Sequence, residues 1–222
     1  MTRIKISGLM QPDDAALAAD LGVDILACVF NAKSPRYVTI EQAWAVRRAA
    51  GTRVRLAGVF VDAPLPLVER VAQSCQLDLV QLFGSEPRGD VEALGPLAYK
   101  AVTVADGESL DAAVRAYAPS SRRARRGEGP ALLLHLSGAV AGEWSLVAGL
   151  AQRVPLVLAA SALGADTAAE AIATVQPWAL DVWDAVEREP GRLDGPRLIR
   201  FVEAVRAADA AAAPLPSEER RT

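Results

Sequence analysis

The chain carries one histidine, His135, and it closes an apolar run, Leu132-Leu133-Leu134. An imidazole in that place can donate or accept a proton near pH 7; the alternative is a neutral, hydrogen-bonded residue at a strand end. A second candidate is Arg36, which follows Lys33-Ser34-Pro35. A guanidinium held by a Ser-Pro turn presents a fork suited to a carboxylate, with Lys33 as a neighbouring cation; the competing role is a brace to Glu41 or Asp62. Cys28 and Cys75 lie in apolar stretches without metal-ligand spacing and read as buried thiols, and a disulfide framework is excluded. With a single His and no clustered carboxylates, no metal site can be named and no cofactor is expected.

These residues need elements to position them. Short apolar runs alternate with helical patterns from end to end, which predicts repeated βα units around a parallel sheet. The strands are expected at Arg3–Ile6, Ile25–Phe30, Arg55–Phe60, Leu79–Leu82, Tyr99–Val102, Ala131–His135, Leu156–Ala159 and Leu180–Val182. Between them Asp13–Leu21, Thr39–Ala49, Leu65–Ser74 and Ala165–Val175 carry apolar residues at spacings of three and four, as helices with one buried face do. Thr39-x-x-Gln42 is a capping-box pattern, and Pro12-Asp13-Asp14 places carboxylates in a first helical turn. Eight such units in 222 residues point to an α/β fold, a single (β/α)8 TIM barrel. The first turn, Ser7-Gly8-Leu9, has no dinucleotide fingerprint.

One domain is expected over 1–207, with a last helix at Gly195–Ala207 and a flexible Ala/Pro-rich tail over 208–222. The stretch Pro119–Pro130, with Arg122-Arg123-Ala124-Arg125-Arg126, reads as a solvated connection, its alternative being an anion or partner patch. A net charge of −3 with 51% hydrophobic and 23% charged residues fits a soluble globular protein, and the basic run lacks the interleaved aromatics of a nucleic-acid surface. No run of about 18 apolar residues suggests a membrane span, and a cytoplasmic location is expected by default.

In a barrel the active site is read off the strand ends in order. They are Lys5-Ile6-Ser7-Gly8, then Phe30-Asn31-Ala32-Lys33-Ser34-Pro35-Arg36-Tyr37-Val38, Gly58-Val59-Phe60-Val61, Val80-Gln81-Leu82-Phe83-Gly84, Lys100-Ala101 and Asp181-Val182 followed by Val186-Glu187. From Arg3 to about Arg206 this set resembles the phosphoribosylanthranilate isomerase family, whose members carry out an Amadori rearrangement in the tryptophan pathway. The resemblance implies a Cys as general base where this chain has Ser7, and an Asp as general acid where it has His135. It also implies an Arg for the anthranilate carboxylate, and that position is Arg36. A serine hydroxyl is too weakly acidic to accept a proton usefully near neutrality without a neighbouring base.

The resemblance further implies glycine-rich loops that cradle a phosphate after the last three strands. Their counterparts are Ser137-Gly138-Ala139-Val140-Ala141-Gly142, Ala159-Ala160-Ser161-Ala162 and Trp183-Asp184-Ala185, which have lost glycines. Asp184 would add a like charge ~5 Å from a phosphate, worth a few kcal/mol of repulsion at an effective dielectric near 20. Trp183 fills vacated volume or belongs to the core, and Phe83, where family members commonly have His, makes the mouth more apolar.

Three functions follow as expectations. The leading one is a repurposed enzyme of specialised biosynthesis that binds an aromatic or apolar carboxylate through Arg36 and moves protons with His135 and Asp184. The second is a non-catalytic ligand-binding or scaffold protein, and the third is retained isomerase activity. The partner in each case is a small molecule, with neither nucleic acid nor membrane, and the protein is a monomer or a homodimer.

Overall fold

The computed structural model describes residues 1–117 and 129–212. Eight parallel strands close into one barrel in chain order. They are β1 (Arg3–Ser7), β2 (Ile25–Val29), β3 (Arg55–Phe60), β4 (Leu79–Leu82), β5 (Ala98–Val104), β6 (Leu132–Leu136), β7 (Leu156–Ala160) and β8 (Ala179–Val182). β8 pairs back onto β1, with Lys5 opposite Asp181. The helices are α1 (Pro12–Asp20), α2 (Ile40–Ala50), α3 (Leu65–Ser74), α4 (Arg88–Ala93), α5 (Gly107–Tyr117), α6 (Ser145–Ala151), α7 (Ala165–Val175) and α8 (Gly195–Ala212). A short hairpin, β9 (Glu187–Glu189) with β10 (Arg192–Leu193), follows β8.

The period of two along each strand divides the core. Outward residues such as Ile4, Ile6, Val80, Leu82, Leu134, Leu136, Leu180 and Val182 pack beneath the helices. Inward residues, among them Ile25, Ala27, Ala57, Leu79, Tyr99, Leu133, Val157 and Ala179, fill the barrel. Buried on both faces, the strands read as continuous apolar runs, which made their positions legible. Four polar residues on the inner face, Lys5, Ser7, Gln81 and Asp181, are buried.

Local signals act as their chemistry dictates. Thr39 Oγ1 accepts from the Gln42 amide at 3.3 Å and Gln42 Oε1 accepts from the Thr39 amide at 2.8 Å, so the capping box forms. Two aspartates, each one residue ahead of a strand, hold the second residue of a neighbouring strand: Asp24 accepts from the Ile4 amide and Asp78 from the Leu56 amide, both at 2.8 Å.

The last helix runs to Ala212, past the Ala207 at which the composition had placed its end. The alanines there favour helix. Asp209 gives the extension a reason, because its carboxylate accepts the Thr2 amide at 2.8 Å and the Thr2 hydroxyl at 2.8 Å. The basic run Arg122–Arg126 and residues 213–222 of the expected tail lie outside the described residues. Among the described residues no helix is long and apolar enough to cross a membrane.

Helix α8 buries Leu198, Phe201, Val202 and Val205 against the barrel. Phe201, 1% exposed, is the largest of these. Phe201→Ala is expected to destabilise the fold by about 3–5 kcal/mol, through lost transfer energy and an unfilled cavity, read as a lower midpoint in urea.

Candidate active site

The C-terminal mouth of the barrel opens into a cavity of about 410 Å³. Ser7, Asn31, Arg36, Gln81, Phe83, Leu133, Asp181 and Trp183 are among the residues that line it. That volume lies within the ordinary range for small-molecule sites, roughly 300–1,000 Å³.

At the floor, Lys5, Ser7 and Asp181 form a closed triangle. Ser7 Oγ donates to Asp181 Oδ1 at 2.7 Å, while Lys5 Nζ donates to Ser7 Oγ and to Asp181 Oδ2, each at 2.6 Å. The pairing of β1 with β8 makes the triangle, since Lys5 faces Asp181 in register and Ser7 is the next inward residue on the same strand. Burial pulls the Lys5 ammonium below its ordinary pKa, and the Asp181 carboxylate works against that shift. Tyr99, deeper in the barrel, donates to Gln81 Oε1 at 2.9 Å, and burial, helped by the nearby Asp181 charge, pushes its phenol well above the usual range. Ser7 therefore has the neighbouring base that its sequence position alone did not reveal.

His135 forms part of an aromatic wall. Its ring lies 5.1 Å from Trp183 and 6.3 Å from Phe83, centroid to centroid, and both of those rings line the cavity. Trp183 thus lines the cavity and also packs against the inner core. His135 Nε2 is buried without a hydrogen-bond partner. The neutral, hydrogen-bonded reading of this histidine accordingly finds no support at Nε2. Burial lowers the imidazole pKa below its ordinary 6.5, opposed by the charges of Asp181 and Asp184.

Arg36 reaches across the mouth. Its Nε donates to Glu187 Oε1 and Oε2 at 3.0 and 3.1 Å, and its Nη2 donates to Glu187 Oε2 at 2.6 Å and to Asp184 Oδ1. The brace is therefore Glu187 with Asp184, not Glu41 or Asp62. Glu187 also accepts the Gly191 amide at 3.0 Å, so one carboxylate ties the loop after β2 to the hairpin after β8. The Arg36 stem crosses directly over Gly8, where a Cβ would sit 2.3 Å from Arg36 Cδ and the backbone has φ +86°. Glycine is required there both for its left-handed conformation and for its missing side chain.

Asp184 is bound to Arg36 and is 71% exposed, so its charge is partly neutralised and screened. It makes no hydrogen bond to His135, and the two do not form the direct acid–base pair that the sequence allowed. Lys33 lies exposed on the turn after β2 and is not among the lining residues; its backbone amide donates to Asn31 Oδ1 at 3.1 Å. The loops after β7 and β8 lie side by side, a Cβ on Gly164 coming 3.6 Å from Ala185 Cβ. The Gly164 amide at the start of α7 donates to Thr167 Oγ1 at 3.0 Å.

In the sequence Lys5, Asp181 and Glu187 stand out only as parts of the strand-end motifs. Their signal is a charged residue within an apolar strand or at its end, which is rarely buried unless paired. Both cysteines are buried; burial pushes the Cys28 thiol up to about 12 and raises that of Cys75, which suits packing rather than reactivity. Among the described residues no group of three or more His, Cys, Asp or Glu gathers as a metal site would.

The family description N-(5'-phosphoribosyl)anthranilate (PRA) isomerase matches residues 4–204. The isomerase of that name from Geobacter sulfurreducens is 36% identical over 209 residues, covering 91% of this chain and 97% of the relative. The one from Pseudomonas putida strain W619 is 35% identical over 211 residues, covering 93% and 98%. Among solved structures, phosphoribosyl anthranilate isomerase from Thermotoga maritima superposes with a TM-score of 0.82 at 30% identity, covering 93% of this chain and all of the other. A further isomerase structure, in complex with reduced 1-(o-carboxyphenylamino)-1-deoxyribulose 5-phosphate, gives 0.78 at 31% identity, covering 93% and 100%. With a match that runs from the first barrel strand into the last helix, the chain belongs to the phosphoribosylanthranilate isomerase family.

Proposed function

We propose that the protein isomerises N-(5'-phosphoribosyl)anthranilate to the corresponding ketose, the reaction that gives its family its name, as a step of tryptophan biosynthesis in the cytoplasm. The observation that carries this reading is one cavity bordered by three groups: the Ser7 hydroxyl against a carboxylate, the aromatic wall that holds His135, and the Arg36 fork. Two features that counted against it in the sequence weigh less in the structure. Ser7 has a base beside it, and the charge of Asp184 is engaged by Arg36. The leading expectation, a repurposed enzyme for another aryl carboxylate, keeps Trp183 and Asp184 in its favour, and family membership favours the isomerase over it.

The chemistry divides among these residues. Arg36 holds the anthranilate carboxylate, its Nη1 being free of hydrogen bonds to other described residues. Phe83 and Trp183 pack against the aryl ring and exclude water. His135, with its unpartnered Nε2, protonates the ribose ring oxygen so that the sugar opens. A carbon-bound proton then leaves toward Ser7, and the ketose forms.

The test is turnover of N-(5'-phosphoribosyl)anthranilate by the purified protein, together with growth without tryptophan of a strain that lacks the isomerase. Absence of both would overturn the reading, and binding without turnover would point to the ligand-binding alternative. A second outcome follows from the depressed pKa of His135. As a proton donor His135 acts in its cationic form, which burial disfavours. kcat is therefore expected to climb as pH falls from 8 to 6, and His135→Asn should flatten that limb.

A further inference from the structure

We propose that Asp181 is the terminal acceptor of the carbon-bound proton, which reaches it through the Ser7 hydroxyl, with Lys5 holding both groups in place. The proposal rests on the isomerase reading above and deepens it by assigning the base.

A serine hydroxyl alone is a poor proton acceptor, and its conjugate base is too costly to pre-form at neutral pH. The geometry removes the need for either. Ser7 Oγ has one proton and two lone pairs. The proton is committed to Asp181 Oδ1 at 2.7 Å, and one lone pair accepts from Lys5 Nζ at 2.6 Å. The remaining lone pair belongs to a residue that lines the cavity. Asp181 is 1% exposed and has both oxygens engaged, one by Ser7 and one by Lys5, so its orientation is fixed before a substrate arrives. Lys5 is completely buried and is a positioning residue: it touches Ser7 and Asp181 and does not line the cavity.

The step balances without an outside reagent. After ring opening the substrate is an iminium ion, and its neighbouring sugar carbon carries an acidified proton. The C–H bond breaks, its electron pair becomes the C=C bond of an enolamine, and the iminium nitrogen regains its lone pair. The departing proton goes to Ser7 Oγ while the proton already on Oγ passes to Asp181 Oδ1. The hydroxyl is regenerated, and the buried carboxylate becomes a carboxylic acid that returns its proton to solvent after product leaves. A concerted transfer of this kind avoids both a free alkoxide and a doubly protonated serine.

The competing account is that Lys5–Asp181 is only an internal brace. The two make opposite statements about a thiol at position 7. A thiolate can accept the proton itself, so the relay makes Asp181 dispensable once Ser7 is Cys, whereas a brace is needed in either background. The experiment measures kcat and KM for wild type, Asp181→Asn, Ser7→Cys and the double variant, with binding of reduced 1-(o-carboxyphenylamino)-1-deoxyribulose 5-phosphate and urea midpoints as controls for the site and the fold. Asp181→Asn is expected to lose about 10²–10⁴-fold in kcat, the usual worth of a general base, with KM within about twofold and the analogue still bound. The double variant should keep kcat within about tenfold of Ser7→Cys. Equal loss from Asp181→Asn in both backgrounds, or no loss in the Ser7 background, overturns the relay while the isomerase reading stands. A wild type that does not turn over at all sinks both.

Discussion

Arg36→Ala is expected to cost the protein both its ligand and part of its fold. Glu187, 5% exposed at its side chain, takes three of the hydrogen bonds that Arg36 gives. Removing the guanidinium leaves that carboxylate buried with only the Gly191 amide and no counter-ion. Breaking one partner of a buried pair typically destabilises by about 3–5 kcal/mol; with Arg36 still 19% exposed the lower end applies. For a chain of this size that corresponds to a melting temperature lower by roughly 6–12 °C. Anthranilate, titrated against the folded variant, should bind at least about tenfold more weakly, because a charge-assisted fork has become a methyl group. Asp184→Asn separates the two effects. Its side chain is 71% exposed and competes for Nη2 without bracing anything buried, so this change should leave the melting temperature within about 2 °C and tighten anthranilate binding about two- to fivefold. Unchanged binding in Arg36→Ala would remove Arg36 from the carboxylate site.

Ser7→Cys is expected to raise kcat by about 10²-fold at pH 8, the second large effect. A thiol ionises near pH 8.5, several units below an alcohol, and the Lys5 ammonium 2.6 Å from Oγ would stabilise the thiolate further, against the opposing charge of Asp181. The gain should be greatest at high pH and fade below about pH 7 as the thiolate is protonated. Wild type should show no such limb, since its acceptor is not a thiol. Ser7→Ala is the matching loss, with kcat falling by about 10³-fold and binding of the reduced product analogue retained. A Cys variant no faster than wild type at any pH would mean that proton abstraction at position 7 does not limit the reaction.

Much of this architecture is legible in the sequence. The strands buried on both faces announced themselves as apolar runs, and Arg55–Phe60 and Leu79–Leu82 were placed residue for residue. Where the boundaries moved, tertiary contacts decided: Asp209 drew the last helix onward by capping Thr2, a contact across 207 residues that no local pattern encodes. The candidate site divides the same way. Ser7, Arg36, Phe83 and Trp183 line the cavity, and the sequence singles them out because strand ends in a barrel face the mouth. Lys5 and Asp181 were missed as partners because their contact depends on the closure of β8 onto β1. Glu187 was missed as the brace for Arg36 because it lies 151 residues away, while Glu41 and Asp62 were merely near in sequence. Only the burial of charge in an apolar strand hinted that Lys5 and Asp181 needed each other.

The division of each strand into a face toward the helices and a face toward the barrel axis has an evolutionary meaning. Ile4, Ile6, Leu134 and Val182 meet the helices, while Lys5, Ser7, His135 and Trp183, their immediate neighbours in the chain, belong to the barrel side, where Ser7 and Trp183 line the cavity. Exchanging a thiol for a hydroxyl, or a carboxylate for an imidazole, thus leaves the helix-facing packing untouched. The lineage can sample new reactivity at the barrel mouth at little risk to the scaffold, and randomising only the inner positions of β1, β4, β6 and β8 would explore most of that repertoire.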